Sequence, residues 1–130
     1  MMTIQIEKAH ESLQAAELCF ANGLHNSAAS RAYYAMFQAA VVALEAAGIL
    51  PDGKGWSHAG LQATFALELT RRRKLYPHSM AEMLTKGLEI RSLADYARIH
   101  VSERRTAQML RWANEFVRQV EEEVEDGHEP

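Results

Sequence analysis

The segment RSLADYAR, residues 91–98, sets three charged side chains at spacings of four and three. On a helix, Arg91, Asp95 and Arg98 therefore share one face. A carboxylate held between two guanidinium groups accepts from two planar forks of donors. Such a group either preorganises an arginine for a phosphate, with Asp95 holding it, or forms a structural ion pair that fixes helix register. Leu84 and Leu88 fall on the same stripe, so Arg91 and Asp95 are expected at least partly inward.

A second arginine sits in an unusual setting. Residues 29–40 read ASRAYYAMFQAA, with Arg31 inside a run of alanines and aromatics. Ser27, Arg31, Tyr34, Gln38 and Glu45 fall within about 40° of one line at about 100° per residue. Most of the remaining surface is Ala, Met, Phe and Val, so this helix is apolar nearly all round with one polar seam. It is expected to be the central, most buried helix. An unpaired buried charge costs several kcal/mol, so Arg31 is expected to be partnered. Asp95, an acid of the first helix such as Glu11 or Glu17, and Tyr34 are the candidates. If Arg31 and Arg91 face one cleft, that cleft is cationic and suits a phosphate or nucleotide. If each is neutralised by its own acid, the arrangement is structural.

The other reactive residue types give weaker patterns. The six histidines, at 10, 25, 58, 78, 100 and 128, show neither HxH nor HExxH spacing, and Cys19 stands alone. No dedicated metal site and no cofactor is expected. His58 opens a helix, where it serves as a cap, a surface residue or a catalytic group. The run RRRK at 71–74 either grips a nucleic-acid backbone or complements the dipole of the helix it ends. DGKG at 52–55 lacks P-loop spacing and reads as a turn.

These residues need elements to hold them, and the chain reads as helical throughout. Prolines are scarce and β-branched runs are absent. A first helix is predicted from about Ile4 to Asn22, with Ile6, Ala9, Leu13, Ala16 and Phe20 as one apolar stripe and Gly23 as its stop. The second runs from His25 or Asn26 to Ala47 and ends at Gly48. After a loop at 49–57, Ser57 caps a shorter helix from His58 to Arg71, with Leu61, Phe65 and Leu69 inward and Trp56 stapling its start. A fourth runs from Pro77 or Ser79 to Arg98. A fifth opens at the cap Ser102 and runs to about Glu123, with Leu110, Ala113, Val117, Val120 and Val124 as its seam. Four long helices and one shorter helix joined by short connections predict an all-α bundle.

The totals agree with one small domain. The chain has 130 residues, 48% apolar and 24% charged, and a net charge of −3. No global basic charge advertises nucleic acid, so any such binding is local. A single cysteine fits a reducing, cytoplasmic setting. No stretch reads as a transmembrane span or signal peptide. Residues 1–124 are expected to form the domain, and 125–130 an acidic, disordered tail.

Three segments, in this order and at this separation, carry a family resemblance: SAASRAYYAMFQAAVVALEAAGI, then HAGL, then RSLADYA. Together they resemble small prokaryotic HEPN-domain proteins, over about residues 7–122. The resemblance implies an up-and-down bundle of four or five helices that forms homodimers. It also implies a nucleotidyltransferase partner in a toxin–antitoxin pair. Many such proteins are metal-independent endoribonucleases, whose motif is an arginine, four to six residues, then a histidine. Arg91 matches that arginine, but the positions for the histidine hold Tyr96, Ala97 and Arg98. His100 is nine residues after Arg91, about 180° away on an unbroken helix. Two functions follow. One is a dimeric binding module for a nucleotide, RNA or protein, using Arg31, Tyr34, His58, Arg91, Asp95, Tyr96 and Arg98. The other is a ribonuclease toxin using Arg91 with His100, His58 or Tyr96. The failed spacing favours the binding module.

Overall fold

The computed structural model describes residues 3–96 and 100–126. Helix α1 spans Thr3–Ala21, α2 His25–Ala46, α3 His58–Thr64, α4 His78–Tyr96 and α5 Glu103–Asp126. A π-helical segment, Phe65–Arg72, continues α3. No strand occurs among the described residues. No helix among them is long and apolar enough to cross a membrane. The all-α expectation holds, and the helix bounds agree with the sequence reading to within a few residues. The described part of α5 runs on to Asp126, and residues 127–130 lie outside the described residues.

Side-chain contacts between helices fix the topology. Ser12 meets Gln38 at 2.8 Å, joining α1 to α2. Tyr34 meets Arg91 and Ser30 meets Asp95, joining α2 to α4. His10 meets Glu121 and Asn114 meets Glu17, joining α1 to α5. In the α2–α4 and α1–α5 sets, rising numbers on one helix match falling numbers on the other, so those pairs are antiparallel, and the short turn at 22–24 returns α2 antiparallel to α1. The four long helices therefore run up, down, up and down, with α3 and its π continuation in the crossover from α2 to α4.

The centre of the bundle is α2, as its composition requires. Its alanines at 28, 29, 32, 35, 39 and 40 are fully buried. Small side chains let α1, α4 and α5 all approach its axis closely. The larger core residues Tyr33, Met36, Leu61, Phe65, Leu84, Met109 and Phe116 fill the space around them. The predicted inward residues of α1, α3 and α5 are buried at Ala9, Leu13, Ala16, Leu61, Phe65, Leu69, Leu110, Ala113, Val117 and Val120. Gly23 and Gly48 close α1 and α2 with φ of +75° and +80°, where a side chain would be strained.

Local chemistry explains the remaining ends. Ser57 Oγ accepts the Gly60 N–H at 2.9 Å, the expected cap of α3. Ser102 Oγ accepts the Arg105 N–H at 3.1 Å and caps α5. The π segment was not legible in the sequence. Its exit bond runs from the Arg73 N–H to the Glu68 carbonyl, five residues back, and Thr70 Oγ donates to the Ala66 carbonyl. Two residues of the basic run at its end are engaged by the fold. Arg72 pairs with Glu68, and Arg73 donates to the Ala47 carbonyl at the end of α2.

Candidate functional site

Asn26, Ser30 and Tyr34 recur at four-residue spacing and so line one face of α2. The end of α4 lies against that face. Between them is a cleft of about 450 Å³, lined by Asn26, Ser27, Ser30, Arg31, Tyr34, Ala94 and Asp95.

The floor of the cleft is a connected polar network. Arg91 Nε lies 2.8 Å from Asp95 Oδ2, four residues along α4. The Nε–H is not aligned on that oxygen, so the contact is an ion pair rather than a hydrogen bond. A terminal amine of Arg91 donates to the Tyr34 hydroxyl at 2.8 Å. The guanidinium carbon also stands 5.0 Å from the centre of the Tyr34 ring, a cation–π contact. Asp95 accepts from Ser30 Oγ at 3.0 Å through its other oxygen. The Arg91 side chain is 15% exposed and that of Asp95 27%. Arg91 is thus largely sequestered one layer behind the cleft, and Asp95 reaches its surface.

Arg31 corrects an expectation. It is exposed, and no hydrogen bond or ion pair engages it among the described residues. The polar seam of α2 opens to solvent at Arg31 instead of being sandwiched between helices. Asp95 is already committed to Arg91 and Ser30, and Glu17 meets Asn114. Among the described residues, Arg31 is therefore a cation without an acid partner at the rim of the cleft.

A second cluster adjoins Tyr34. The His58 ring packs against Phe37 at 5.1 Å, Tyr33 at 5.5 Å and Tyr34 at 6.4 Å between ring centres. Its Nδ1 is 2.8 Å from the Tyr33 hydroxyl. Burial, and secondarily the Arg91 charge, hold the imidazole below its ordinary pKa. Burial pushes the fully buried Tyr33 phenol up, so it keeps its proton. Arg91 and His58 thus both stand against the Tyr34 ring.

The remaining candidates are placed differently. His100 lies in the connection to α5 and is exposed. Its Nδ1 is 3.0 Å from the Asn26 amide nitrogen, while Asn26 Oδ1 accepts the Val101 N–H at 2.8 Å. The chain after α4 therefore brings His100 beside Asn26 at the edge of the cleft, without a contact to Arg91. Tyr96 is 77% exposed and does not join the network. Arg98 lies outside the described residues. No cluster of three potential metal ligands occurs among the described residues.

Sequence reasoning missed Asn26, Ser30 and Tyr33. The four-residue spacing of Asn26, Ser30 and Tyr34 was the available signal for the first two. Tyr33 gave none, because a tyrosine on a buried helix reads as core.

Comparison with known proteins agrees with this architecture. The chain is 29% identical over 121 residues to a protein of Methanocaldococcus jannaschii named "Putative toxin MJ0605", covering 93% of this chain and 87% of that protein. The HEPN domain family matches residues 2–124. That match takes in α1 to α4, α5 as far as residue 124, the Arg31–Asp95 cleft and the His58 cluster, and the chain belongs to the HEPN domain family.

Proposed function

We propose that this protein is a toxin-like HEPN module that binds RNA through a ribonucleotide unit seated in the Asn26–Asp95 cleft. The observation that carries this reading is the unneutralised guanidinium of Arg31 beside a structured acceptor and an aromatic face. Arg31 supplies a free fork of donors for a phosphate. Ser27 and Ser30 add hydroxyls at the same rim. Asp95 presents a carboxylate that accepts from a ribose hydroxyl. Tyr34, fixed by Arg91, offers a ring on which a base stacks. Across Arg31, Arg91 and Asp95 the local charge is positive, although the whole chain is negative. The cleft thus meets the condition set by the composition, that any nucleic-acid binding be local.

The reading includes a homodimer and a nucleotidyltransferase partner in a toxin–antitoxin pair. The relative's name supports the toxin half. The nucleotidyltransferase rests on the family resemblance, and a pull-down of that protein with this chain tests it.

A second reading, metal-independent RNA cleavage, is favoured by the histidine next to the Arg91–Tyr34 contact. Arg91 would offset developing charge on the phosphate, and His58 would move a proton. One experiment addresses both readings. Short single-stranded RNA is mixed with the protein in EDTA, and binding and chain length are followed together. Binding that weakens about tenfold or more in Arg31→Ala is expected, the loss of one charge-assisted contact. Equal binding by both proteins overturns the cleft assignment. Cleavage that disappears in both Arg91→Ala and His58→Ala establishes the enzymatic reading.

A further inference from the structure

We infer that His58 is the proton-exchanging residue of this cleft, taking up a proton when a phosphodiester anion occupies the Arg31 side of Tyr34. The inference rests on the binding reading above and adds a linkage between ligand and pH. It stands on the chemistry of two hydrogen bonds and on the position of one ring.

The two histidines near the cleft have opposite kinds of partner. His100 Nδ1 faces the Asn26 amide nitrogen, whose orientation is fixed because Asn26 Oδ1 accepts the Val101 N–H. An amide nitrogen only donates, so that bond requires His100 Nδ1 to be bare. His58 Nδ1 faces the Tyr33 hydroxyl at 2.8 Å. A hydroxyl both donates and accepts, so this bond survives whether Nδ1 is bare or protonated. His58 can therefore change charge without breaking its contact to the core.

The ring also adjoins a residue of the cleft. His58 and Arg91 both stand against Tyr34, with the imidazole 6.4 Å and the guanidinium carbon 5.0 Å from that ring, and Tyr34 lines the cleft. The titratable and charged groups around His58 are Tyr33 and Tyr34 from α2 and Arg91 from α4, with Asp95 behind Arg91. Gln62 follows on its own helix and carries no charge. In the free protein, burial and the neighbouring cation disfavour the protonated form of His58. A phosphodiester held by Arg31 places a negative charge in the cleft that Tyr34 lines and offsets the Arg91 repulsion. The protonated form is then favoured. The His58 midpoint is higher in the complex than in the free protein, so binding takes up a proton at pH values between the two midpoints. Affinity rises as pH falls through that window and is flat above and below it.

The test uses uridine 5′-(methyl phosphate), a phosphodiester that keeps both ribose hydroxyls, has no 2′ hydroxyl next to its phosphate and, lacking a second ionisation, keeps one negative charge between about pH 5 and 8. Nuclear magnetic resonance follows the His58 ring protons in the wild-type protein, with and without saturating ligand. The free midpoint is expected below about 6.5 and the bound midpoint above the free one. A rise of one unit tightens binding by at most about tenfold. Calorimetry in two buffers of different ionisation heat should show proton uptake in the wild type and none in His58→Gln. Binding with an unmoved His58 midpoint, or with the same uptake in His58→Gln, overturns the inference. Absence of binding at every pH instead overturns the cleft as a phosphodiester site, and this inference with it. A free-protein titration of Arg91→Gln separates the two failures. The His58 midpoint should rise there without any ligand, and an unchanged midpoint removes the coupling on its own.

Discussion

Two arginines on one cleft differ in what each leaves behind when it is removed. Arg91 is largely sequestered, paired with Asp95, and seated on the Tyr34 ring. Truncating it leaves a carboxylate that is only 27% exposed with the Ser30 hydroxyl alone for a partner, and a Tyr34 hydroxyl that loses its donor. Arg91→Ala should therefore destabilise the protein by about 1–3 kcal/mol, the cost of a half-buried unpaired acceptor. Arg31 touches solvent and no described acid, so Arg31→Ala should change stability by no more than about 0.5 kcal/mol. Denaturant unfolding of the two variants checks this, and equal losses would show that Arg31 has a partner in the fold. The contrast marks where sequence reading succeeds and fails at this scale. The spacing of Arg91 and Asp95 within one helix was enough to pair them. Arg31 was placed on the correct line of α2, but that helix is apolar nearly all round. Its pattern therefore does not say which neighbour covers which side, and α4 comes to rest over Tyr34 rather than Arg31.

The site depends on how closely α4 lies on α2, and Gly87 sets that distance. A Cβ built at Gly87 would stand 2.9 Å from Met36 Cε and 3.4 Å from Tyr33 Cδ1. Gly87 is one helical turn before Arg91 and faces the same neighbour. Alanine is a mild test, since helix propensity favours it by about 1 kcal/mol and the Met36 methyl can swing aside. Valine cannot be absorbed so easily, because its branched carbon presses on both Met36 and the Tyr33 ring. Gly87→Val should cost about 2–3 kcal/mol by overpacking. It should also weaken RNA binding, because it lifts Arg91 from Tyr34 and shifts Tyr33 under His58. Loss of stability with full retention of binding would show that the cleft does not depend on this contact. At the scale of elements the sequence was largely sufficient. Helix ends were carried by Gly23, Gly48, Ser57 and Ser102, each with a local chemical reason to stop or start a helix. The π segment escaped because it shifts the hydrogen-bond register by one residue while leaving Leu61, Phe65 and Leu69 inward. Apolar periodicity cannot register such a change. Gly87 escaped for a related reason: a glycine inside a helix reads as a weak point until its neighbour is known.

For the molecule as a whole, the end of the bundle that carries the cleft also carries unburied apolar side chains. Leu24, at the start of α2, is 55% exposed, and Leu93 and Tyr96, at the end of α4, are 47% and 77% exposed. The antiparallel run of α2 and α4 puts all three at the same end as the cleft. Single exposed leucines need no explanation, but an aromatic and two leucines at one end form a surface that a partner would cover. A second copy is the simplest occupant, because a two-fold interface uses one patch twice. It would bring two clefts to one side of the assembly, so that a single RNA strand meets Arg31 from both chains. The net charge of −3 per chain opposes this association only weakly at physiological salt. Light scattering of the wild-type protein should therefore give about twice 14.6 kDa. Leu93→Glu combined with Tyr96→Glu should give the single-chain mass with an unchanged far-ultraviolet spectrum, since neither side chain is in the core. A wild-type mass of one chain at high concentration would remove the dimer. A double variant that stays dimeric would move the interface to another face of the bundle, away from the cleft.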